Sequence, residues 1–386
     1  MASVALTGAA GPLGRRVAAL LAADPGVERL VIVDGARPDG VAPAAEIRGL
    51  DLLTSELQPA FDGADVVVHV AEGPGAEGSG PAGVAAGHDD DVRATRRVLD
   101  AAGVAGASTV VLLSSAAVYG AWPNNPVPLT EEAPVRPHPG LAFAVSKAEI
   151  ERLAAAWRDD HPGSTVALLR PAVTLAEEDT GWMARAMRAE AGIRAGNAAP
   201  PAQFVHLDDV ALAVDVARRQ RLDGPHNVAP DGHLSADAVR ALAGRPQVRL
   251  PEPVATRLAA WRWRLRLAPT PPALVAYTVH PWVVANDRLR AAGWEPANSN
   301  EEAYVAAHRP GRWATLSPRR RQELSLGVAA VGLAGIVTTV VALVRSRSCR
   351  LRRRAARATG SRSWGAKGQR RSPRMTVRWP ARPSRR

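Results

Sequence analysis

Short runs of Val, Ile and Leu alternate with helix-patterned segments over the first 170 residues, and this alternation restricts the fold more than any other feature. The apolar runs are almost continuous, as in parallel strands that are buried on both faces of a sheet. The pattern predicts strands at 3–7, 29–34, 65–70, 109–114 and 165–170, and helices at 14–23, 89–102 and 144–158. Because strands that alternate with helices form right-handed βαβ units, we expect an α/β fold with a doubly wound parallel sheet.

A glycine-rich turn, TGAAGPLG at 7–14, follows the first strand and opens the first helix. Gly8 permits the tight turn, Gly11 lets the backbone approach a diphosphate, and Gly14 lets the helix pack closely on the strand. The helix N-terminus adds N–H groups and a positive dipole end. Pro12 supplies no N–H, whereas Leu13 keeps its own. The turn therefore predicts a dinucleotide-binding site of the Rossmann type.

An acidic residue ends the second strand, where dinucleotide sites hold the adenosine ribose. Asp34 lies 20 residues after Gly14, and its carboxylate can accept hydrogen bonds from the ribose hydroxyls. The same carboxylate would repel the 2′-phosphate of NADP, so the predicted cofactor is NAD. Arg37 nearby leaves NADP as a minor alternative.

The pattern changes beyond these elements. Residues 71–87 are so rich in Gly and Pro that they predict a mobile loop. After residue 224 the periodicity weakens, and 251–276 are rich in Pro, Trp and Arg. We therefore predict a Rossmann domain with interleaved substrate segments at 1–250, and a small C-terminal substrate lobe with its linker at 251–318.

The C-terminal end differs in composition from the rest. The formal net charge is +12, and residues 345–386 contribute +16 of it, so 1–344 carry −4. Residues 324–344 contain no charged side chain, and as a helix they would span about 31 Å, close to the hydrocarbon thickness of a bilayer. We expect a membrane-embedded apolar helix at 324–344 and a disordered basic tail at 345–386, with no specific nucleic-acid partner.

A membrane segment and a cytoplasmic cofactor together predict the cytoplasmic face of the membrane. The N-terminus runs directly into a strand, so no secretory signal is expected. The single cysteine, Cys349, excludes a disulfide framework within the chain. Basic residues flank 324–344 on both sides, which leaves a spanning, a re-entrant and an interfacial helix open.

A series of short motifs, in this order and spacing, resembles the extended short-chain dehydrogenase/reductases, the family of NAD-dependent sugar epimerases and dehydratases. The resemblance covers roughly residues 3–300. It rests on TGAAGPLG at 7–14, Asp34, LDL at 50–52, VVVHVA at 66–71, LLSSAAVYG at 112–120, FAVSK at 143–147, LLRPAV at 168–173, FVHLDDVA at 204–211, HNVAPDG at 226–232 and AGWEP at 292–296.

The resemblance implies a set of cofactor residues. Asp51 and Leu52 should flank the adenine, and Ala71 should lie against the diphosphate. In the family, the lysine at the place of Lys147 bonds the nicotinamide ribose and lowers the pKa of the catalytic tyrosine. The residues implied or predicted to bind NAD are Gly8, Gly11, Leu13, Gly14, Asp34, Asp51, Leu52, Ala71, Lys147 and Pro171.

The catalytic residues implied by the resemblance are Ser115, Lys147 and the residue at 143, and here the chain departs from the family. Phe143 stands where the family has its proton-transfer tyrosine, and phenylalanine has no ionisable group. Asp91 stands where the family often has Asn. Three readings remain: another group such as Ser115, His206 or water transfers the proton; the protein binds NAD without turnover; or the chemistry differs from alcohol–ketone exchange.

Other polar and aromatic motifs carry weaker predictions. In HLDD at 206–209, an aspartate N-cap is favoured over a metal site, so no metal is expected. Residues 130–132 border the substrate by resemblance, or form a solvated loop. The segment WRWRLRL at 261–267 suits either a membrane interface or a half-buried element of the substrate region.

Together these features predict an NAD-dependent epimerase/dehydratase-like oxidoreductase. Its substrate would be a sugar nucleotide, a lipid-linked sugar or a sterol-like alcohol, and it could form a homodimer. Phe143 motivates the alternative, a membrane-tethered NAD sensor or scaffold without turnover.

Overall fold

Seven parallel strands form the central sheet. The structure, a computed structural model, describes residues 1–35, 45–70, 80–177, 182–190, 192–197, 199–244, 247–268 and 270–307. The strands are β1 (Ala2–Thr7), β2 (Val27–Asp34), β3 (Glu46–Gly49), β4 (Val66–His69), β5 (Thr109–Leu113), β6 (Thr165–Pro171), β7 (Val173–Leu175), β8 (Ile193–Ala195), β9 (Phe204–His206), β10 (Gly224–Val228) and β11 (Val248–Leu250). The sheet order is β10-β6-β5-β4-β1-β2-β3. The strand order reverses between β1 and β4, and ligands bind at such a switch point in open α/β sheets.

Helices cover both faces of this sheet. They are α1 (Pro12–Ala23), α2 (Gln58–Phe61), α3 (Gly80–Val104), α4 (Ala142–Asp160), α5 (Trp182–Glu190), α6 (Leu207–Arg219), α7 (Ala236–Ala243), α8 (Glu252–Arg264), α9 (Leu274–Val279), α10 (Asp287–Ala291) and α11 (Asn300–Ala307), with a 3-10 helix at Ala116–Tyr119. The predicted doubly wound α/β fold is confirmed.

The two faces of the sheet bury two separate apolar cores. On one face, α1 and α6 pack together over residues such as Leu6, Ile32 and Val68. On the other face, α2, α3 and α4 cover alternate residues of the same strands, such as Val31 and Val67. Burial on both faces is the reason that the strands read as unbroken apolar runs.

A smaller lobe is built from segments on both sides of α6. β7 pairs with β9, and β8 pairs with β11, each in parallel. Since β7, α5, β8 and β9 lie between β6 and α6 in the chain, segments of the smaller lobe are interleaved with those of the central sheet. Residues 1–315 form one compact unit, and the division at residue 250 stays a prediction.

One predicted loop is partly wrong. Residues 71–87 were expected to be irregular, but α3 begins at Gly80. Proline is compatible with a first helical turn, because its missing N–H has no partner within the helix there. Pro81 therefore does not exclude a helix start, and the alanines that follow favour one. The apolar segment 324–344, the basic tail 345–386 and Ala71 lie outside the described residues.

Candidate active site

The glycine turn after β1 has the close packing that the sequence predicts. Gly8 adopts a φ of +86°, a region that favours glycine. A Cβ built on Gly14 would lie 2.0 Å from the carbonyl oxygen of Gly8, so only glycine lets α1 approach the turn. By contrast, among the described residues a Cβ on Gly11 would come within 4 Å only of the Gly8 oxygen, at 3.4 Å. The Gly11 side therefore faces space that a diphosphate can enter.

Pro12 and Leu13 complete the turn at the start of α1. Pro12 is the first helical residue, where no N–H is needed, and Gly11 precedes it as the N-cap with extended backbone. The Leu13 side chain is buried in the core beneath the turn. The helix N-terminus is thereby anchored with its unpaired backbone N–H groups at the carboxyl end of β1, which suits an anion.

Asp34 lies at the carboxyl end of β2, beside the glycine turn. Its Oδ2 accepts a hydrogen bond from the backbone N–H of Ala10 at 2.9 Å. This contact ties the carboxylate to the turn and places it where an adenosine ribose would meet both. That Asp34 holds the ribose stays a prediction.

The segment predicted to flank the adenine is a turn held from two sides. Asp51 is exposed, and its Oδ1 accepts from the backbone N–H of Leu53 at 2.7 Å. The carbonyl oxygen of Leu52 accepts a hydrogen bond from Nε of Arg97 on α3 at 2.8 Å. The Leu52 side chain packs against the apolar core that α2, α3 and α4 cover. The turn is thus fixed next to Asp34, whose carbonyl oxygen accepts from the N–H of Leu50.

A buried lysine marks the other half of the site. Lys147 on α4 is 2% exposed, and its Nζ lies 3.9 Å from Oδ2 of Asp91 on α3, which is also buried. A buried ammonium is costly to leave without an opposite charge. The carboxylate at position 91 supplies that charge, and the amide of an asparagine could not.

The ring of Phe143 lies one helical turn before Lys147, at the same junction of α3 and α4. The Lys147 Nζ lies 5.8 Å from the centre of the Phe143 ring. On the α3 side, the ring of His88 lies 6.0 Å from it, centre to centre, with the planes inclined by 63°. The sequence reasoning missed His88; its spacing of three residues from Asp91 on one helix was the available signal.

Ser115 lies at the carboxyl end of β5. Its Oγ accepts a hydrogen bond from the N–H of Ala117 at 3.2 Å and thereby caps the 3-10 helix, which packs against α4. Accepting this bond leaves the hydroxyl proton of Ser115 available for donation. The arrangement is compatible with the predicted role of holding the reacting oxygen.

A buried polar network lies under this edge of the sheet. Arg170 on β6 makes two hydrogen bonds to the carboxylate of Glu151, at 2.9 and 2.7 Å, and a third to the hydroxyl of Tyr119 at 2.7 Å. Tyr119 in turn donates to Oδ1 of Asn227 at 2.8 Å, and Ser114 donates to Glu151 at 2.5 Å. The network ties the 3-10 helix, β6, β10 and α4 together beneath the site.

The three tyrosines of the chain do not replace the missing phenol. Burial raises the pKa of Tyr119 to about 12, although Arg170 opposes the shift. Burial also raises the pKa of Tyr277, whose hydroxyl donates to the carbonyl oxygen of Ala117 at 2.9 Å. Tyr304 is buried against Phe204 in the smaller lobe. Hydroxyls held in such bonds, with raised pKa values, are poor proton carriers.

Comparison with known proteins agrees with this geometry. Residues 4–229, more than half of the chain, match the profile of the NAD dependent epimerase/dehydratase family. The chain belongs to this family. The predicted resemblance is confirmed, and the cofactor of the family is NAD, as the glycine turn and Asp34 predict.

Sequence and structural relatives extend beyond the matched region. An uncharacterized protein of Mycobacterium tuberculosis (strain ATCC 25618 / H37Rv) is 27% identical over 314 residues, which cover 78% of this chain and 82% of the relative. A UDP-glucose 4-epimerase of Thermus thermophilus, solved with NAD, has a TM-score of 0.59 at 21% identity and covers 79% of this chain and 97% of its own. MoeE5 with UDP-glucuronic acid and NAD has a TM-score of 0.58 at 21% identity with the same coverage. At these identities the structures show a shared fold.

This epimerase-family chain has a cavity of about 190 Å³ in the smaller lobe. The cavity begins where β6 ends, because Val173 lines it and Pro171 is the last residue of β6. Tyr277 lines it too and contacts Ala117 next to the 3-10 helix cap. The lining is mostly apolar and includes Leu175, Met187, Phe204, Trp282 and Tyr304, with Arg194, Arg240 and Gln247 among the polar residues. It is the candidate space for the part of a substrate that does not react.

The HLDD motif has a structural role that differs from the predicted one. The N-cap of α6 is His206, whose Nδ1 accepts from the N–H of Asp208 at 3.2 Å, so the predicted aspartate cap is wrong. The aspartates point elsewhere: Asp209 accepts from the backbone N–H groups of Ala297 and Asn298. Within the described part of the chain, no group of three or more His, Cys, Asp or Glu could hold a metal ion.

The membrane prediction concerns residues that are not described. Among the helices that the structure does describe, none has both the length and the apolar character needed to cross a bilayer. The predicted helix at 324–344 lies outside them.

Proposed function

We propose that this protein oxidises and reduces a hydroxyl-bearing carbon of a sugar nucleotide, using NAD. The observation that carries the proposal is the pairing of a glycine turn that only glycine can form at Gly14 with a buried lysine, Lys147, across the carboxyl edge of the same sheet. One half suits a dinucleotide diphosphate, and the other half suits the nicotinamide ribose that the family lysine binds. When bound, NAD would accept and return a hydride.

The residues of this chain would hold the cofactor and orient the substrate. The backbone at Gly11 and Leu13 would face the diphosphate, and Asp34 would hold the adenosine ribose. Ser115 would donate a hydrogen bond to the reacting oxygen of the substrate. Lys147, whose Nζ lies 3.9 Å from Oδ2 of Asp91, would bind the nicotinamide ribose.

The choice of a sugar nucleotide rests on the structural neighbours. Solved structures of MoeE5 and of a Thermotoga maritima UDP-glucose 4-epimerase contain UDP-glucuronic acid and UDP-glucose, respectively. Arg194 and Arg240, which line the cavity of the smaller lobe, could face the diphosphate of such a ligand.

A lipid-linked sugar or sterol-like alcohol is the second candidate, and the apolar lining of the same cavity favours it. Val173, Leu175, Met187 and Phe204 would contact a hydrocarbon chain or ring better than a base that needs hydrogen-bond partners.

The decisive experiment incubates the purified full chain with NAD+ and UDP-glucose, UDP-galactose or UDP-glucuronic acid. We expect absorbance at 340 nm from NADH or a changed sugar on chromatography, and we expect Lys147→Met to abolish it. A short polyprenyl-diphosphate sugar tests the second candidate in the same assay. Tight NAD binding with no conversion of any of these compounds would instead favour the sensor or scaffold that Phe143 motivates.

We also propose that the protein lies on the cytoplasmic face of a membrane. Besides the 324–344 segment, the end of α8 supports this, because Trp261 is 54%, Leu265 51% and Leu267 61% exposed. Residues 253–268 contain four arginines and no acidic residue. Exposed apolar side chains next to arginines suit the headgroup region of an anionic bilayer.

Co-sedimentation with phosphatidylglycerol vesicles tests the membrane proposal. We expect the triple variant Trp261→Ser, Leu265→Ser and Leu267→Ser to bind at least tenfold less. The control is Val305→Ser, which changes an equally exposed residue on α11. Unchanged binding by the triple variant would assign membrane contact to the C-terminal segment alone. A homodimer stays a prediction that light scattering can measure.

A further inference from the structure

Phe143 leaves the proposed reaction without a proton carrier. When a hydroxyl carbon gives up a hydride, the hydroxyl proton must pass to a base, and the family tyrosine is that base. The group that takes its place must be ionisable, must lie beside the Phe143 ring, and must be neutral near pH 7 so that it can accept a proton.

Lys147 and His88 both lie beside the Phe143 ring, and Lys147 is the less suitable of the two. Its Nζ lies 5.8 Å from the ring centre, but it also faces the carboxylate of Asp91. The two side chains form a buried ion pair, and an ammonium has no lone pair to accept a proton. A charged ammonium can bind a ribose hydroxyl, but it cannot accept a proton.

The buried His69 behind this junction is also unsuitable. Its Nδ1 lies 2.6 Å from the hydroxyl of Thr7, and its Nε2 lies 3.0 Å from the hydroxyl of Thr95. Because Thr95 donates its own proton to the carbonyl oxygen of Asp91, Nε2 of His69 donates and Nδ1 accepts. Burial, with a smaller contribution from Lys147, lowers the pKa of His69 to about 3, so it stays neutral within the core.

His88 has the required position and chemistry. It is half-buried on α3, and its ring lies in the edge-to-face range of aromatic contact with Phe143. Burial lowers its pKa below the usual 6.5 and Lys147 lowers it further, while Asp91 and Asp89 oppose the shift. The imidazole is therefore neutral near pH 7.

We propose that His88 is the catalytic acid and base that replaces the missing tyrosine hydroxyl. The proposal rests on the function proposed above. In oxidation, the C–H bond of the carbinol breaks with its electron pair going to the nicotinamide as hydride. The O–H bond breaks with its proton going to the His88 imidazole, and the carbonyl bond forms. In reduction the imidazolium returns the proton, so NAD+ and NADH are the only redox partners required.

The first test needs no sugar. NMR titration of ¹³C-labelled histidines in the full chain, with His88→Gln or His88→Asn to assign the signal, gives the pKa of His88 with NAD+ and with NADH bound. NAD+ carries one more positive charge on the nicotinamide, so it should raise the acid dissociation constant of a nearby imidazole by about three- to tenfold relative to NADH. The control, His161 at the end of α4, should show no difference. Equal values for His88 in the two complexes would overturn the proposal.

The second test uses whichever sugar the natural protein converts. We expect His88→Gln to lower kcat by about 10² to 10⁴ while KM and NAD affinity stay within threefold. The double variant His88→Gln, Phe143→Tyr should have a kcat at least tenfold above that of His88→Gln alone. A purely structural role of His88 would not predict this rescue. The rate of oxidation by the natural protein should also rise as the pH increases through the His88 pKa, and His88→Gln should lack this rise. Unchanged kcat in His88→Gln would refute the assignment.

The NMR titration and the kinetic assay distinguish failure of the His88 assignment from failure of the proposed function. If no tested sugar is converted but the His88 pKa responds to the charge of the nicotinamide, the assignment of His88 survives and the proposed substrate class fails. If conversion is observed and His88→Gln is fully active, the proposed function survives and His88 is excluded.

Discussion

Gly14→Ala is the substitution whose effect the structure specifies most closely. The new methyl group would lie 2.0 Å from the Gly8 oxygen, 2.5 Å from the Gly8 carbonyl carbon and 2.6 Å from the Ala9 Cα. All three are backbone atoms, so no side chain can turn away. Reaching ordinary contact requires α1 to move away from the turn by about 1.4 Å, and overpacking of this kind costs about 1–3 kcal/mol.

That displacement has two measurable consequences. The melting temperature without ligand should fall by about 1.5–4.5 °C, given the entropy of unfolding of a domain of this size. The helix N-terminus would also leave its place over the turn, so we expect NAD affinity by calorimetry to fall at least tenfold, or about 1.4 kcal/mol. An unchanged melting temperature would refute the packing argument.

Gly11→Ala is the matched control, since it adds the same methyl group three residues earlier. There the Cβ would be 3.4 Å from its nearest protein atom, and the φ of −76° is compatible with alanine. Stability should change little, because the entropic gain of about 0.4–1 kcal/mol is offset by alanine being a poorer N-cap residue than glycine. NAD affinity should still fall at least tenfold, because the methyl group would occupy the space assigned to the diphosphate. Natural NAD affinity in this variant would show that the diphosphate binds elsewhere.

Three further predictions follow from the contacts around the site. Tyr119→Phe removes buried hydrogen bonds to Arg170 and Asn227 and should lower the free energy of unfolding in urea by about 1–3 kcal/mol, with NAD affinity unchanged. The pKa of His69 is about 3 in the folded state and 6.5 in the unfolded state, so between these pH values only the unfolded state binds the proton. The free energy of unfolding should therefore fall with decreasing pH by up to about 1.4 kcal/mol per pH unit, and His69→Asn should flatten that slope. Asp34→Ser should lower NAD affinity about tenfold in calorimetry and reduce the preference for NAD over NADP. Equal NAD affinity in the natural protein and the variant would show that Asp34 does not bind the ribose.

The strands, the glycine turn and its acidic partner could be predicted from the sequence because each is a local pattern. An unbroken apolar run such as 109–113 indicates a strand buried on both faces without knowledge of its neighbours. The spacing of Gly8, Gly11 and Gly14 after a strand specifies a turn that brings backbone close to a ligand. The lone lysine of residues 1–344, Lys147, was singled out by its motif, and the structure buries it.

Contacts between segments distant in the chain could not be predicted in the same way. The pairing of Asp91 with Lys147 joins α3 to α4, and the Tyr119–Arg170–Glu151 network joins three elements. His88 lies on α3, whose first residues were predicted as part of a loop. The contact between the His88 and Phe143 rings could therefore not be anticipated. The cap of α6 was misassigned for a related reason, since Asp209 binds backbone 88 residues away.

The sequence by itself determined that this protein folds around a parallel sheet with a dinucleotide turn, and that position 143 lacks an ionisable group, since these depend on residue type and short-range spacing. Only the tertiary structure decided which groups surround position 143, because α3 and α4 must pack before a histidine, a carboxylate and an ammonium on them can meet. The electrostatic energies of such side-chain contacts depend on burial and distance, and neither can be read from the order of residues along the chain.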